Sequence, residues 1–161
     1  GSEEKLESIA PKISGGGSEG GASSIEDLGN KLIDEANDGD VDDIMKLFPT
    51  AEQAAEALEC PGSNPIDESR LEAKGDLVEE IAQMAEEGVK MEMLGVVDEG
   101  DRETYAVGAD VEGCTAKMPL MVAEIEYKLK ITAGDHVEQE DAGFMLIQLG
   151  DGGNWYLIEP D

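Results

Sequence analysis

Two cysteines, Cys60 and Cys114, and a single histidine, His136, are the only thiol and imidazole groups in the 161-residue chain. Their spacing removes most of the chemistry such groups do. A zinc or thiol-redox pair needs cysteines a few residues apart, and only one His, His136, is there to complete a metal set. A disulfide or two buried thiols remain. Each cysteine stands in a turn-like context, Cys60 before Pro61-Gly62 and Cys114 after Gly113, where solvent reaches a free thiol. That favours a Cys60–Cys114 bridge. Closing so long a loop restricts the unfolded chain by roughly 4 kcal/mol on the chain-entropy account and belongs to an oxidising, extracytoplasmic compartment. His136 lies among Asp135, Glu138 and Glu140 in what reads as a polar loop, which makes it a surface group.

Carboxylates are abundant: 39 acidic against 11 basic side chains give a formal net charge of −28. The densest run is Asp38, Asp40, Asp42 and Asp43. A calcium loop needs oxygen ligands at fixed positions. With Gly39 at the loop glycine, Ala36 and Met45 fall where ligands belong, so the match fails. A helix start explains the run better, Asp40 capping and Asp42 and Asp43 favouring the positive end of the dipole. No metal or cofactor is expected. The chain also has no Walker or HExxH pattern, and no catalytic residue is assigned.

Tyr105, Tyr127 and Tyr156 have the donor chemistry of a pocket acid, but a core tyrosine with its hydroxyl at the edge is the commoner arrangement. The seven methionines read the same way. Thioethers bind Cu(I), yet soft unbranched side chains more often fill irregular space between helices and a sheet. Between these readings lies an adaptable apolar pocket lined by Met91, Met93, Tyr127, Met145 and Trp155, suited to a small apolar ligand.

The charge excludes a nucleic-acid surface, which needs Lys and Arg against phosphates, and disfavours anionic membranes. No stretch approaches 18 consecutive apolar residues, so no transmembrane helix is expected. The 40 % of apolar residues fall in periodic runs, which implies a folded core. Between Ser14 and Ser24, ten of eleven residues are Gly, Ser or Ala. Residues 1–23 are therefore expected to form a flexible Gly/Ser-rich tether, and residues 24–161 a single α+β domain. The chain opens on Gly1-Ser2, and a removed signal segment is expected ahead of it.

Within the domain, four helices come first. Ser24 precedes Ile25, Leu28, Leu32, Ile33 and Ala36, which predicts a helix to about Asn37. Asp40 to Leu47 forms a short second helix ended by Pro49, and Thr50 with Gln53 opens a third, Ala51 to Glu59. Asn64 or Asp67 caps the fourth, whose stripe is expected at Leu71, Val78, Ile81, Ala82 and Ala85 before Gly88. After Gly88 the period becomes two. Strands are expected from Val89 through Met93, around Glu103 to Val107, from Lys117 to Ile131, from Phe144 to Leu149, and from Asn154 to Glu159. In the third, Ile125, Tyr127, Leu129 and Ile131 alternate with Glu124, Glu126, Lys128 and Lys130, so one face packs and the other offers charges to a neighbouring strand. Helices followed by hairpin-linked strands indicate α+β, with N-terminal helices packed on a curved antiparallel sheet of about four to five strands.

That order, ending in Asn154-Trp155-Tyr156-Leu157-Ile158, resembles the nuclear-transport-factor-2-like superfamily, a cystatin-like α+β cone, and within it the small bacterial lipoproteins. The short helix at Asp40 to Leu47 and the extended segment Ala109 to Pro119 depart from the family pattern. The resemblance implies a non-enzymatic, extracytoplasmic binding or interaction domain tethered as a lipoprotein, with homodimerisation through the sheet face. The alternative it implies is a small apolar-ligand carrier or an isomerase-like pocket enzyme, which would need a carboxylate inside the cone.

Overall fold

The computed structural model describes residues 20–98 and 100–160. The expected tether therefore lies almost wholly outside the described residues. Where the description begins, the chain is already docked. Ala22 pairs with Trp155 through N···O distances of 2.9 and 2.7 Å, and the Gly21 amide donates to the Lys46 carbonyl at 2.9 Å.

Local signals set the helices α1 (Ile25–Asp38), α2 (Val41–Met45), α3 (Ala51–Ala57) and α4 (Pro65–Glu87). The Ser24 hydroxyl accepts from the Asp27 amide, and Asp40 accepts from Asp43. Thr50 and Gln53 form a reciprocal capping box. Asn64, not Asp67, caps α4, with Pro65 at its first position, where a missing N–H does no harm. Gly39 and Gly88 end α1 and α4 at φ of 75° and 68°, a left-handed conformation that glycine adopts without a Cβ clash.

The main sheet is antiparallel. It contains β2 (Val89–Asp98), β6 (Leu120–Ala133), β7 (His136–Leu149) and β8 (Trp155–Pro160) in that order, while β3 (Arg102–Tyr105) also pairs with β6. Both β2 and β3 run along the same edge of β6: Val89 sits opposite Ala133, and Tyr105 opposite Leu120. Register shifts in β2 and between Met145 and Leu146 bend the sheet. The β8 edge is covered by Ala22 and by the Leu47 carbonyl, which accepts from Leu157 at 2.8 Å. On the opposite edge, the Asn37 amide imitates a strand partner, accepting from the Met91 N–H at 2.8 Å and donating to its carbonyl at 2.7 Å. Both devices blunt edges that would otherwise template association.

Four expectations need correcting. The third helix stops at Ala57, because Leu58 turns extended and pairs with Ala116. Leu58–Glu59 is β1 of a second, three-stranded sheet with β4 (Asp110–Val111) and β5 (Cys114–Ala116), so the extended segment expected from Ala109 to Pro119 is a paired hairpin. His136 is not in a loop but opens β7, opposite Ala133. The buried line of α4 is Ile66, Ala73 and Ile81, with Leu77 and Met84 half-buried. Leu71 and Val78 are 55 % and 50 % exposed. The helix carries two weakly apolar lines, and its packing on α2, α3, β2 and β8 selects the other one.

Strand parity divides the core. Ala123, Ile125, Tyr127 and Leu129 of β6 face α1, α2 and the later part of α4, joined by Leu146 and Leu157. Leu120 and Val122 face the other way, where α3, the small sheet and the start of α4 cover one end of the sheet. Farther along that second face, Glu124 and Glu126 are exposed and Lys128 pairs with Asp141 across the strands at 3.0 Å, as the alternation implies.

Candidate functional site

The face beneath α1 is closed. Tyr127 is fully buried, and its hydroxyl donates to the Ile25 carbonyl at 2.7 Å, so the pocket-acid chemistry of this group is taken up in holding α1 down. Gly29 permits the approach: a Cβ there would lie 2.6 Å from the Tyr127 ring and 2.9 Å from the Met93 methyl. Phe144 stacks obliquely on the same ring at 6.0 Å. Met91, Met93 and Trp155 are packed into this core as filler, and the Arg102 guanidinium lies 5.7 Å from the Trp155 ring. Among the described residues no carboxylate is buried; the buried polar side chain is Gln53, which donates to the hydroxyl of buried Tyr156.

Met145 lies elsewhere. Opposite Glu124 in register, it points to the other face and lines an open groove of about 650 Å³. The five residues read as one apolar pocket therefore do not share a cavity. The groove's floor is sheet: Leu120 and Val122 from β6, Met145 and Ile147 from β7, Ile158 from β8 and Tyr105 from β3. One wall is the first two turns of α4, where Pro65, Glu68, Ser69 and Glu72 share a face at helical spacing. Leu58, Val111 and Glu112 of the small sheet close the far side.

That small sheet is held by the expected disulfide. Cys60 and Cys114 are joined, with Cα atoms 4.4 Å apart. Val111 pairs with Cys114, and the two residues between them, Glu112 and Gly113, have φ of 51° and 86°. This is the conformation of a tight two-residue hairpin, which normally favours Asn-Gly; glutamate there is strained.

The charged residues lining the groove are Glu68, Glu72, Glu103, Glu112 and Glu159, with no Lys, Arg or His among them. The ion pairs of the described residues lie elsewhere. Tyr105 donates to Glu103 at 3.3 Å. Its phenol titrates above the usual range, first through burial and then through the negative charges of Glu103 and Glu112. Sequence parity held the signal for this site: Leu120 and Val122 are apolar at the positions that further along β6 carry Glu124 and Glu126. Two apolar residues out of phase with the main core mark a second covered surface.

A separate cluster brings the carboxylates of Glu35, Asp40 and Asp43 within 4.8 Å of one another. Lys46 meets Asp43 at 2.9 Å. Asp43 is held below its ordinary pKa, first by Lys46 and then by hydrogen bonds with Glu35 and Asp40. Glu35 is pushed up, first by its hydrogen bond with Asp43. These opposite shifts come from carboxylates crowded beside Lys46 on a solvated helix junction. His136 is exposed and meets Glu138 at 2.9 Å.

Comparison with protein-family models, with curated proteins and with solved structures finds no match.

Proposed function

We propose that the protein is a non-enzymatic, extracytoplasmic binding domain that works through the groove between α4, the small sheet and β3, rather than through the helix-covered face. The observation that carries this reading is the division of β6. Its Tyr127 side is filled, while its Val122 side opens on an apolar-floored recess within the size range of small-molecule sites. The resemblance of the element order to the nuclear-transport-factor-2-like superfamily implies a binding role, which this reading places on the face opposite Tyr127. An isomerase-like mechanism needs a buried carboxylate opposite a hydrogen-bond donor. Tyr127 instead meets a backbone carbonyl.

The disulfide supports an oxidising compartment. Among the described residues no helix is long and apolar enough to cross a membrane, which fits attachment through the N-terminal Gly/Ser-rich segment as a lipoprotein. Homodimerisation through the sheet is a lesser proposal, since the open sheet face is charged and both edges are blunted.

The test is methyl-resolved NMR with octanol as an apolar probe. Val122, Met145 and Ile147 are expected to shift together and saturably, with Leu129 and Leu146 unchanged. Shifts confined to the Tyr127 core, or none, would sink the reading.

A further inference from the structure

We propose that the groove binds a small amphiphilic organic cation, its apolar body on the sheet floor and its ammonium or amidinium group among the glutamates of the rim. The proposal rests on the groove being a binding site and adds the chemical class of its ligand. The rim is complementary to such a ligand from several directions. Glu68 and Glu72 come from successive turns of α4, Glu103 from β3, Glu112 from the β4–β5 turn and Glu159 from β8. The floor between them is apolar.

Acids are common over the whole chain, at 39 against 11 bases, so what distinguishes the groove is that its acids ring an apolar floor. Some acids elsewhere meet bases: Asp43 with Lys46, Asp67 with Arg70, Asp141 with Lys128. At the groove the same chain places only acids, beside an aromatic ring. Tyr105, part of the floor, donates its hydroxyl to Glu103, and its ring adds an aromatic surface of the kind that attracts cations. Glu68 and Glu72, four residues apart on one helix face, repel each other, a cost to the free protein that a bound cation removes. Glu112 holds its place in a backbone conformation unfavourable to it. An anionic amphiphile would meet repulsion all round, and a neutral one would leave the glutamates uncompensated.

Octylammonium, octanol and octanoate share one apolar body and separate head group from floor. Calorimetry in low salt is expected to give octylammonium an affinity roughly tenfold or more above octanoate, with octanol between, and the gap is expected to shrink as salt screens the rim. Two triple variants remove the same number of charges. Glu68→Gln/Glu72→Gln/Glu103→Gln is expected to weaken octylammonium by roughly fivefold or more and to strengthen octanoate. Glu79→Gln/Glu80→Gln/Glu86→Gln, on α4 away from the groove, is expected to change either by less than about twofold. If both triples act alike, the preference belongs to net charge and the proposal fails. If all three probes bind the groove equally, the proposal fails while the binding reading stands. If none shifts Val122, Met145 or Ile147, both fail.

Discussion

The two faces of β6 show opposite ways of treating the same material. On one, alternate residues from Ala123 to Leu129 lie under three helices, and the single hydroxyl, that of Tyr127, is bonded to backbone. On the other, Leu120 and Val122 are just as apolar, but the covering elements stand apart and leave a groove with a rim of glutamates. Burial needs neutrality and close approach, which Gly29 supplies. An open recess tolerates charge because water solvates it, and such charge remains available to a ligand. A fold with a surplus of carboxylates thus keeps them out of its dry side and collects five around its wet one.

The dry side should break hardest. Tyr127→Ala removes a fully buried ring and is expected to cost about 3–5 kcal/mol in urea denaturation. Tyr127→Phe removes the hydroxyl's bond to the Ile25 carbonyl and is expected to cost about 1 kcal/mol. If the phenylalanine variant folds and its groove binds octylammonium as before, the two faces are independent. A large loss of binding there would mean that they are one unit.

The disulfide belongs to the wet side. Cys60→Ser with Cys114→Ser is expected to destabilise by about 2–4 kcal/mol. Because it frees the small sheet that carries Val111 and Glu112, it should also weaken groove binding under conditions where the domain stays folded. Denaturation and calorimetry on the same sample check both effects. Lost stability with unchanged affinity would show that the small sheet is not a working wall.

Most of the dry side was legible in sequence, and little of the wet side was. Caps at Ser24, Asp40 and Thr50 are local signals read over three residues, and the alternation around Tyr127 is strong because one face is wholly covered. The pairing of Leu58 with Ala116 joins distant segments through two- and three-residue strands, too short to show a period. The groove is assembled from six strands and a helix, and its glutamates are scattered among dozens of similar ones. Met145 reads with the Tyr127 face in the sequence because an unpaired strand shows neither its parity nor its bulge; opposite Glu124, it points away. In α4, Leu71 and Val78 lay on the more obvious of two apolar lines, and only tertiary packing decides between them.

Glu112→Gly sharpens the comparison from the other direction. The residue's φ of 51° suits glycine, so the variant is expected to gain about 1 kcal/mol of stability and a higher Tm. It removes a rim charge and should weaken octylammonium modestly. A residue that opposes stability but supports binding is what a functional wall predicts; gain in both would mark Glu112 as incidental.

The smallest effect concerns acids that have already found a cation. Glu35 is raised above its ordinary 4.5, chiefly by its hydrogen bond with Asp43, and Asp43 lies below its ordinary 3.8, chiefly through Lys46. A raised carboxyl contributes stability that is present below pH 4.5 and fades as the pH climbs through its folded value. A depressed one contributes above pH 3.8 and loses its contribution as the pH falls through its folded value. Glu35→Gln keeps a neutral donor beside Asp43 at every pH. It is therefore expected to be slightly more stable than the parent at neutral pH, with the difference vanishing near pH 4. Asp43→Asn should do the reverse, destabilising at neutral pH and converging in acid. Thermal melts across that range check both signs. The groove triple Glu68→Gln/Glu72→Gln/Glu103→Gln, with no lysine to lose, should show no such destabilisation at neutral pH, which is the difference between acids that serve the fold and acids held for a ligand.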